Sequence, residues 1–138
     1  MIGKCKDCGF CKWCAKNAHW LLRLSFGAVF LYHGILKFQD IAGFAKMMGS
    51  STALAGAVAF AEVAGGAGAI VGGLLCKKGD LITRLAGLAI TPVMLGAIFM
   101  VHWPIWNNGA GGMEFPVTLL AIALFFLFTG NGCCKDKC

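Results

Sequence analysis

At 138 residues the chain has room for one domain, and its 59% hydrophobic and 13% charged residues lie far from the roughly 45–50% apolar and about 25% charged composition of soluble domains. So short a chain has too much surface per volume to hide that excess in a core, which argues against a water-soluble globule and makes lipid the simpler solvent. The net charge of +6 does not read as a nucleic-acid footprint, because the lysines flank apolar runs instead of lining a basic, aromatic-interleaved face.

The N-terminal segment 1–17 is polar and holds Cys5, Cys8, Cys11 and Cys14, spaced C-x-x-C-x-x-C-x-x-C, among Lys4, Lys6, Lys12 and Lys16. A first apolar run covers 18–38. It is too long for a signal-peptide core and contains Arg23, His33 and Lys37, so cleavage is not expected. At 100° per residue Arg23, Phe26, Phe30, His33 and Lys37 fall within a sector of about 80°. The connection 39–51 carries one lysine, Lys46.

The second run, 52–75, has Ala57, Ala61, Gly65, Ala69 and Gly73 at four-residue steps, with a parallel stripe of Ala64, Gly68 and Gly72. Small residues at that spacing let helix backbones approach closely in lipid, where van der Waals contact replaces the hydrophobic drive. Packing within one chain is the expected use, ahead of dimerisation. Glu62 lies midway along this run and shares a face with Gly66, Ala69 and Gly73. A charge at that depth costs at least about 2.5–3.5 kcal/mol, so Glu62 is expected to pair with His33 or Lys37 or to stay protonated. Cys76, Lys77 and Lys78 follow.

The third run, 81–103, places Arg84, Thr91, Leu95 and His102 on one face, with Pro92 a candidate kink. After a connection containing Trp106 and Glu114 comes the shorter fourth run, 115–130, expected to begin at Pro116, where a missing N–H costs nothing. The segment 131–138 ends the sequence with Cys133, Cys134 and Cys138.

The first three runs meet the ~20 residues needed to cross a ~30 Å hydrocarbon core, and the fourth is read as a shorter span or an interfacial helix. Eight lysines lie in 1–17, at 77–78 and in 131–138, so the positive-inside rule predicts a multi-pass cell-membrane protein with both termini cytoplasmic. Trp13 and Trp20 then sit at the inner interface, with Trp103 and Trp106 at the outer. Arg23 and Arg84 fall near the cytoplasmic surface, and His33, Lys37, His102 and Glu114 toward the outer one. These groups line either a polar cavity, fit for a quinone headgroup or a proton relay, or a structural ion-pair lock; snorkelling to the interface is the bland account of Arg23, Arg84 and Lys37.

Arg23, the run FLYHGILK at 30–37, EVAGG at 62–66, Arg84 and GME at 112–114 together resemble the DoxX family in order and spacing. The resemblance implies an all-α, integral-membrane four-helix bundle over 18–130, flanked by the cysteine-rich tails 1–17 and 131–138. It also implies membrane redox chemistry, since the family takes its name from a thiosulfate:quinone oxidoreductase and has relatives tied to thiol and oxidative-stress systems. By analogy it carries over Arg23, His33, Lys37, Glu62, Arg84 and Glu114 as family positions, while the cysteine tails depart from the usual family pattern.

On the predicted topology all eight cysteines face the cytoplasm, where stable disulfides are disfavoured. Thiolates there suit an iron–sulfur cluster, zinc or copper(I), or dithiol–disulfide exchange. The N-terminal spacing is similar to the start of a bacterial ferredoxin run, lacking one spacer residue and the proline, with Cys133, Cys134 or Cys138 able to supply a remote ligand. An N-terminal pair joined to C-terminal cysteines would equally satisfy tetrahedral zinc. Cys76 is expected to pack as a small hydrophobe.

Three functions are consistent with these features. The first is a small redox protein, or a subunit of a membrane redox complex, coupling a cysteine-held centre or dithiols to a quinone-type carrier. His33, Glu62 and Lys37 would act on the carrier, with Arg23, Arg84, His102 and Glu114 binding it. The second is an accessory scaffold whose zinc-stapled tails dock a protein partner. The third is a copper(I) or zinc transporter or metallochaperone.

Overall fold

The computed structural model describes residues 9–75, 78–108 and 111–131, with side chains from residue 17 onward. All eight cysteine side chains, and with them every thiolate-site expectation, lie outside the described residues.

Helices account for most of the described residues, and no strands occur among them. Helix α1 spans Gly9–Gln39 and α2 is the short Ile41–Met47. Helix α3 is Thr52–Leu74, α4 is Gly79–Gly96, and α5 is Glu114–Thr129. A π-helical turn, Ala97–His102, continues α4. Three segments are long and apolar enough to cross a membrane: Asn17–Gln39, Thr52–Leu74 and Gly79–His102, of 23, 23 and 24 residues. At 1.5 Å per residue these reach about 35 Å. Helix α5 is apolar but has 16 residues, about 24 Å, short of the ~30 Å core. It begins two residues before the expected Pro116, which sits buried in its first turn.

Polar side chains set the helix starts on the α2 side. The Asp40 carboxylate accepts from Gly43 N at 2.8 Å, and Ser51 Oγ accepts from Leu54 N at 3.2 Å. Each satisfies one N–H that the first turn leaves orphaned. The connection 39–51 is therefore largely helical.

Helix α1 packs along α3, α3 along α4, and α4 along α5. The pairs are antiparallel, since Gly27 meets Gly66 and Ile70 while Gly34 meets Ala59 and Val63. Gly66 shows why small residues are needed at this contact: a Cβ there would lie 3.0 Å from both Gly27 O and Leu31 N. The residues α3 buries are Ala55, Ala59, Glu62, Gly65, Gly66, Ala69 and Gly72. Apart from the adjacent Gly65 and Gly66 they step by three and four, so the contact face draws on both small-residue stripes and is spent on contacts within the chain.

Phe26, Phe30, Ile90, Ala69, Ala86, Ala123 and Phe126 form the centre of the core. Phe26 stands edge-on to Phe126 at 5.3 Å and 4.6 Å from Phe30, which joins α1 to α5. The helices thus have two ends. The tail end carries Asn17, Leu75, Lys78 and Asn131, to which the cysteine-bearing segments are covalently joined. The opposite end carries α2 and the 103–113 connection.

Candidate functional site

Two buried polar clusters lie on either side of the aromatic core. The first is at the tail end and centres on Arg23, which is 1% exposed. Its Nη1 donates to Ala69 O at 2.5 Å and to Thr83 Oγ1 at 2.9 Å, and its Nη2 donates to Asn131 Oδ1 at 2.6 Å. The guanidinium also lies over the Phe126 ring, 5.1 Å from its centroid. Thr83 Oγ1 donates to Asn131 Oδ1 at 2.8 Å, and Asn131 Nδ2 donates to Gly72 O at 2.7 Å. Arg23 thereby ties α1 to α3, α4 and Asn131, two residues beyond the end of α5. A planar fork with several donors suits this task better than a lysine's single ammonium.

The network continues to the surface through Asp80. Its carboxylate accepts from Asn131 N at 2.9 Å and from Arg84 Nε at 2.8 Å. Arg84 Nη1 then donates to Leu127 O at 3.0 Å and Phe128 O at 2.8 Å. Those are among the carbonyls that the last turn of α5 cannot satisfy internally, and a cation there also complements the helix dipole.

The second cluster is on the far side of Phe26 and Phe30. Glu62, 2% exposed, forms an ion pair through Oε1 with Lys37 Nζ. Side chains of helical residues lean toward the helix N-terminus. In an antiparallel pair Lys37 therefore leans inward along α1 and Glu62 outward along α3, which closes the gap between them. The Lys37 ammonium also sits over the Phe44 ring of α2 at 4.8 Å. The second carboxylate oxygen, Oε2, is buried and has no hydrogen-bond partner among the described residues. Lone pairs left bare in an apolar surround are costly. Among the described residues, Oε2 is thus left able to accept a further hydrogen bond, while Oε1 is engaged by Lys37.

The remaining expected residues go elsewhere. His33 lies at the margin of its sector, is exposed, and sets its ring edge-on to Tyr32 at 5.6 Å; Lys37 takes the pairing with Glu62. His102 is held by its Nδ1 against Gly111 O at 2.9 Å, within the 103–113 connection. Glu114 is the first residue of α5, half-buried, with its backbone N donating to Trp106 O at 3.3 Å. The face shared by Arg84, Thr91 and Leu95 is half-buried to exposed, and α4 instead buries Thr83, Ala86, Gly87, Ile90 and Met94. Among the described residues no cluster of three or more His, Cys, Asp or Glu is arranged to hold a metal.

Sequence reasoning missed Thr83, Asp80 and Asn131. Asp80 was legible as an i,i+4 partner for Arg84. Thr83 and Asn131 carry no local signal, because their partners are 48 or more positions away.

The profile of the DoxX family matches residues 18–103, more than half of the chain. The Bacillus subtilis (strain 168) protein named "Putative oxidoreductase CatD" is 32% identical over 111 residues, which cover 80% of this chain and 78% of that protein. No solved structure matches significantly. The profile match and the extended similarity together establish that the chain belongs to the DoxX family.

Proposed function

We propose that this chain is a four-helix membrane redox protein, or a small subunit of a membrane redox complex, that passes electrons between thiol chemistry at its tails and a quinone-type carrier in the bilayer. The carrying observation is the buried Glu62 carboxylate, paired through one oxygen with Lys37 and bare at the other. The family and the oxidoreductase named above support the redox class. In this reading residues 18–130 form the membrane bundle, both termini are cytoplasmic, and the tails 1–17 and 131–138 bring Cys5, Cys8, Cys11, Cys14, Cys133, Cys134 and Cys138 to one face. Those thiolates hold an iron–sulfur cluster or zinc, or react as dithiols.

Lys37 would donate to a carrier oxygen and Glu62 would accept from its hydroxyl form. Arg23 and Arg84 act as framework, because Nη1 and Nη2 of Arg23 and Nε and Nη1 of Arg84 donate to carbonyls and side chains of the chain itself. With dithiols as donor the reaction balances as quinone plus two thiols giving hydroquinone plus one disulfide.

The test is reduction of a short-chain quinone by a dithiol in the presence of protein purified anaerobically. Glu62→Gln is expected to slow turnover by about 10²-fold or more, and unchanged turnover would remove Glu62 from the reaction. Metal content with optical and EPR spectra, compared between the native chain and a Cys5/Cys8/Cys11/Cys14→Ser variant, identifies the thiolate centre. An accessory scaffold that docks a protein partner through zinc-stapled tails is the second reading, favoured by the engagement of Arg23 Nη1 and Nη2 with acceptors of the chain itself. Stoichiometric zinc with no quinone reduction would select it.

A further inference from the structure

The two polar clusters differ in how they meet the outside, and that difference concerns access. Along α3, Ala69, whose carbonyl binds Arg23, is two turns from Glu62, about 10 Å along the helix axis. The space between is filled by Phe26, Phe30 and Ile90, each at most 1% exposed. From the α2 end the path is shorter. Lys37 is two residues from the end of α1 and its side chain is 22% exposed, against 2% for Glu62.

We propose that the Lys37–Glu62 pair is a ligand site open at one end: a ligand carrying a hydrogen-bond-donating hydroxyl reaches Glu62 Oε2 from the α2 end, and the aromatic layer closes the site toward the tail end. Other ionisable groups leave this route clear. His33 on α1 is exposed, and Asp40 and Lys46 flank α2 at its exposed rim. Helix α4 presents none between Arg84 and His102, and His102 is turned to Gly111 O.

The identity of the hydroxyl ligand rests on the redox reading above; the one-ended access does not.

The experiment uses right-side-out and inverted membrane vesicles containing the full chain, treated with a membrane-impermeant, water-soluble carbodiimide. Activation of the Glu62 carboxyl beside the Lys37 amine yields an amide cross-link with loss of one water, read by mass spectrometry. Acetylation of the exposed Lys78 by an impermeant ester marks the tail face in the same vesicles. The cross-link is expected from the face opposite to Lys78 labelling and lost from the Lys78 face. A cross-link formed from the Lys78 face, from both faces equally, or from neither overturns the inference. Membrane-permeant dicyclohexylcarbodiimide should give the cross-link in either vesicle, and Glu62→Gln should abolish it. Phe30→Ala, which thins the layer, should admit the impermeant reagent from the Lys78 face as well; if that variant does not fold, the native chain's sidedness still decides. A short-chain hydroquinone should protect against cross-linking. Absence of protection with one-face access intact overturns the carrier assignment and leaves the site standing.

Discussion

Arg23 and Asn131 stand 108 positions apart in the chain and are joined by a 2.6 Å hydrogen bond inside the protein. Asn131 also binds Gly72 O, Thr83 and Asp80. Asn131, two residues beyond the end of α5, is therefore the piece that α1, α3 and α4 share.

Asn131→Ala should destabilise the protein by about 1–3 kcal/mol, because it strips a buried guanidinium of a charge-assisted partner and removes the side-chain donor to Gly72 O. Thermal unfolding in detergent measures it. A change within about 0.5 kcal/mol would show that water or lipid headgroups replace the side chain freely.

Lys37→Met alone leaves the Glu62 carboxylate buried without its cation, and a loss of about 3–5 kcal/mol is expected for breaking such a pair from one side. Lys37→Met with Glu62→Gln should cost less than the two single changes together, with a coupling of about 1–3 kcal/mol in a double-mutant cycle. Additive effects would mean that the contact carries no energy.

Arg84→Lys keeps the charge and removes the fork that joins Asp80 Oδ2 to the carbonyls of Leu127 and Phe128. A loss of about 1–2 kcal/mol is expected, with faster amide hydrogen exchange confined to the last turn of α5. Exchange that rises evenly over the chain would contradict a local capping role.

Gly87→Ala would drive a Cβ into Ala123 O and the Leu127 backbone, so α4 and α5 must separate. We expect about 1–3 kcal/mol of destabilisation. Gly56→Ala meets nothing within 4 Å and should be neutral or stabilising by up to about 1 kcal/mol through helix propensity. Unfolding of the two variants side by side separates packing from propensity; equal effects would refute the close α4–α5 contact.

The helices themselves were legible in the sequence, because apolar runs of about 20 residues and the small-residue spacing of α3 are local properties. The Lys37–Glu62 pairing was half legible. Helical geometry placed His33 and Lys37 near one another, but the choice between them depends on which edge of α1 faces α3, and Gly27 and Gly34 set that edge. The short helix Ile41–Met47 was hidden by its length, although Asp40 and Ser51 are ordinary N-caps flanking it.

Composition and pattern alone thus determined that this chain belongs in lipid, how many long apolar runs it has, and where its thiols cluster along the chain. Those features follow from transfer free energy and helical period, which act residue by residue. The tertiary structure decided which charges meet. Arg23 finds Asn131 and Thr83, and Glu62 takes Lys37 in place of His33, because antiparallel packing of α1 on α3 and of α3 on α4 sets the level and facing of each side chain. No run of neighbouring residues contains that information.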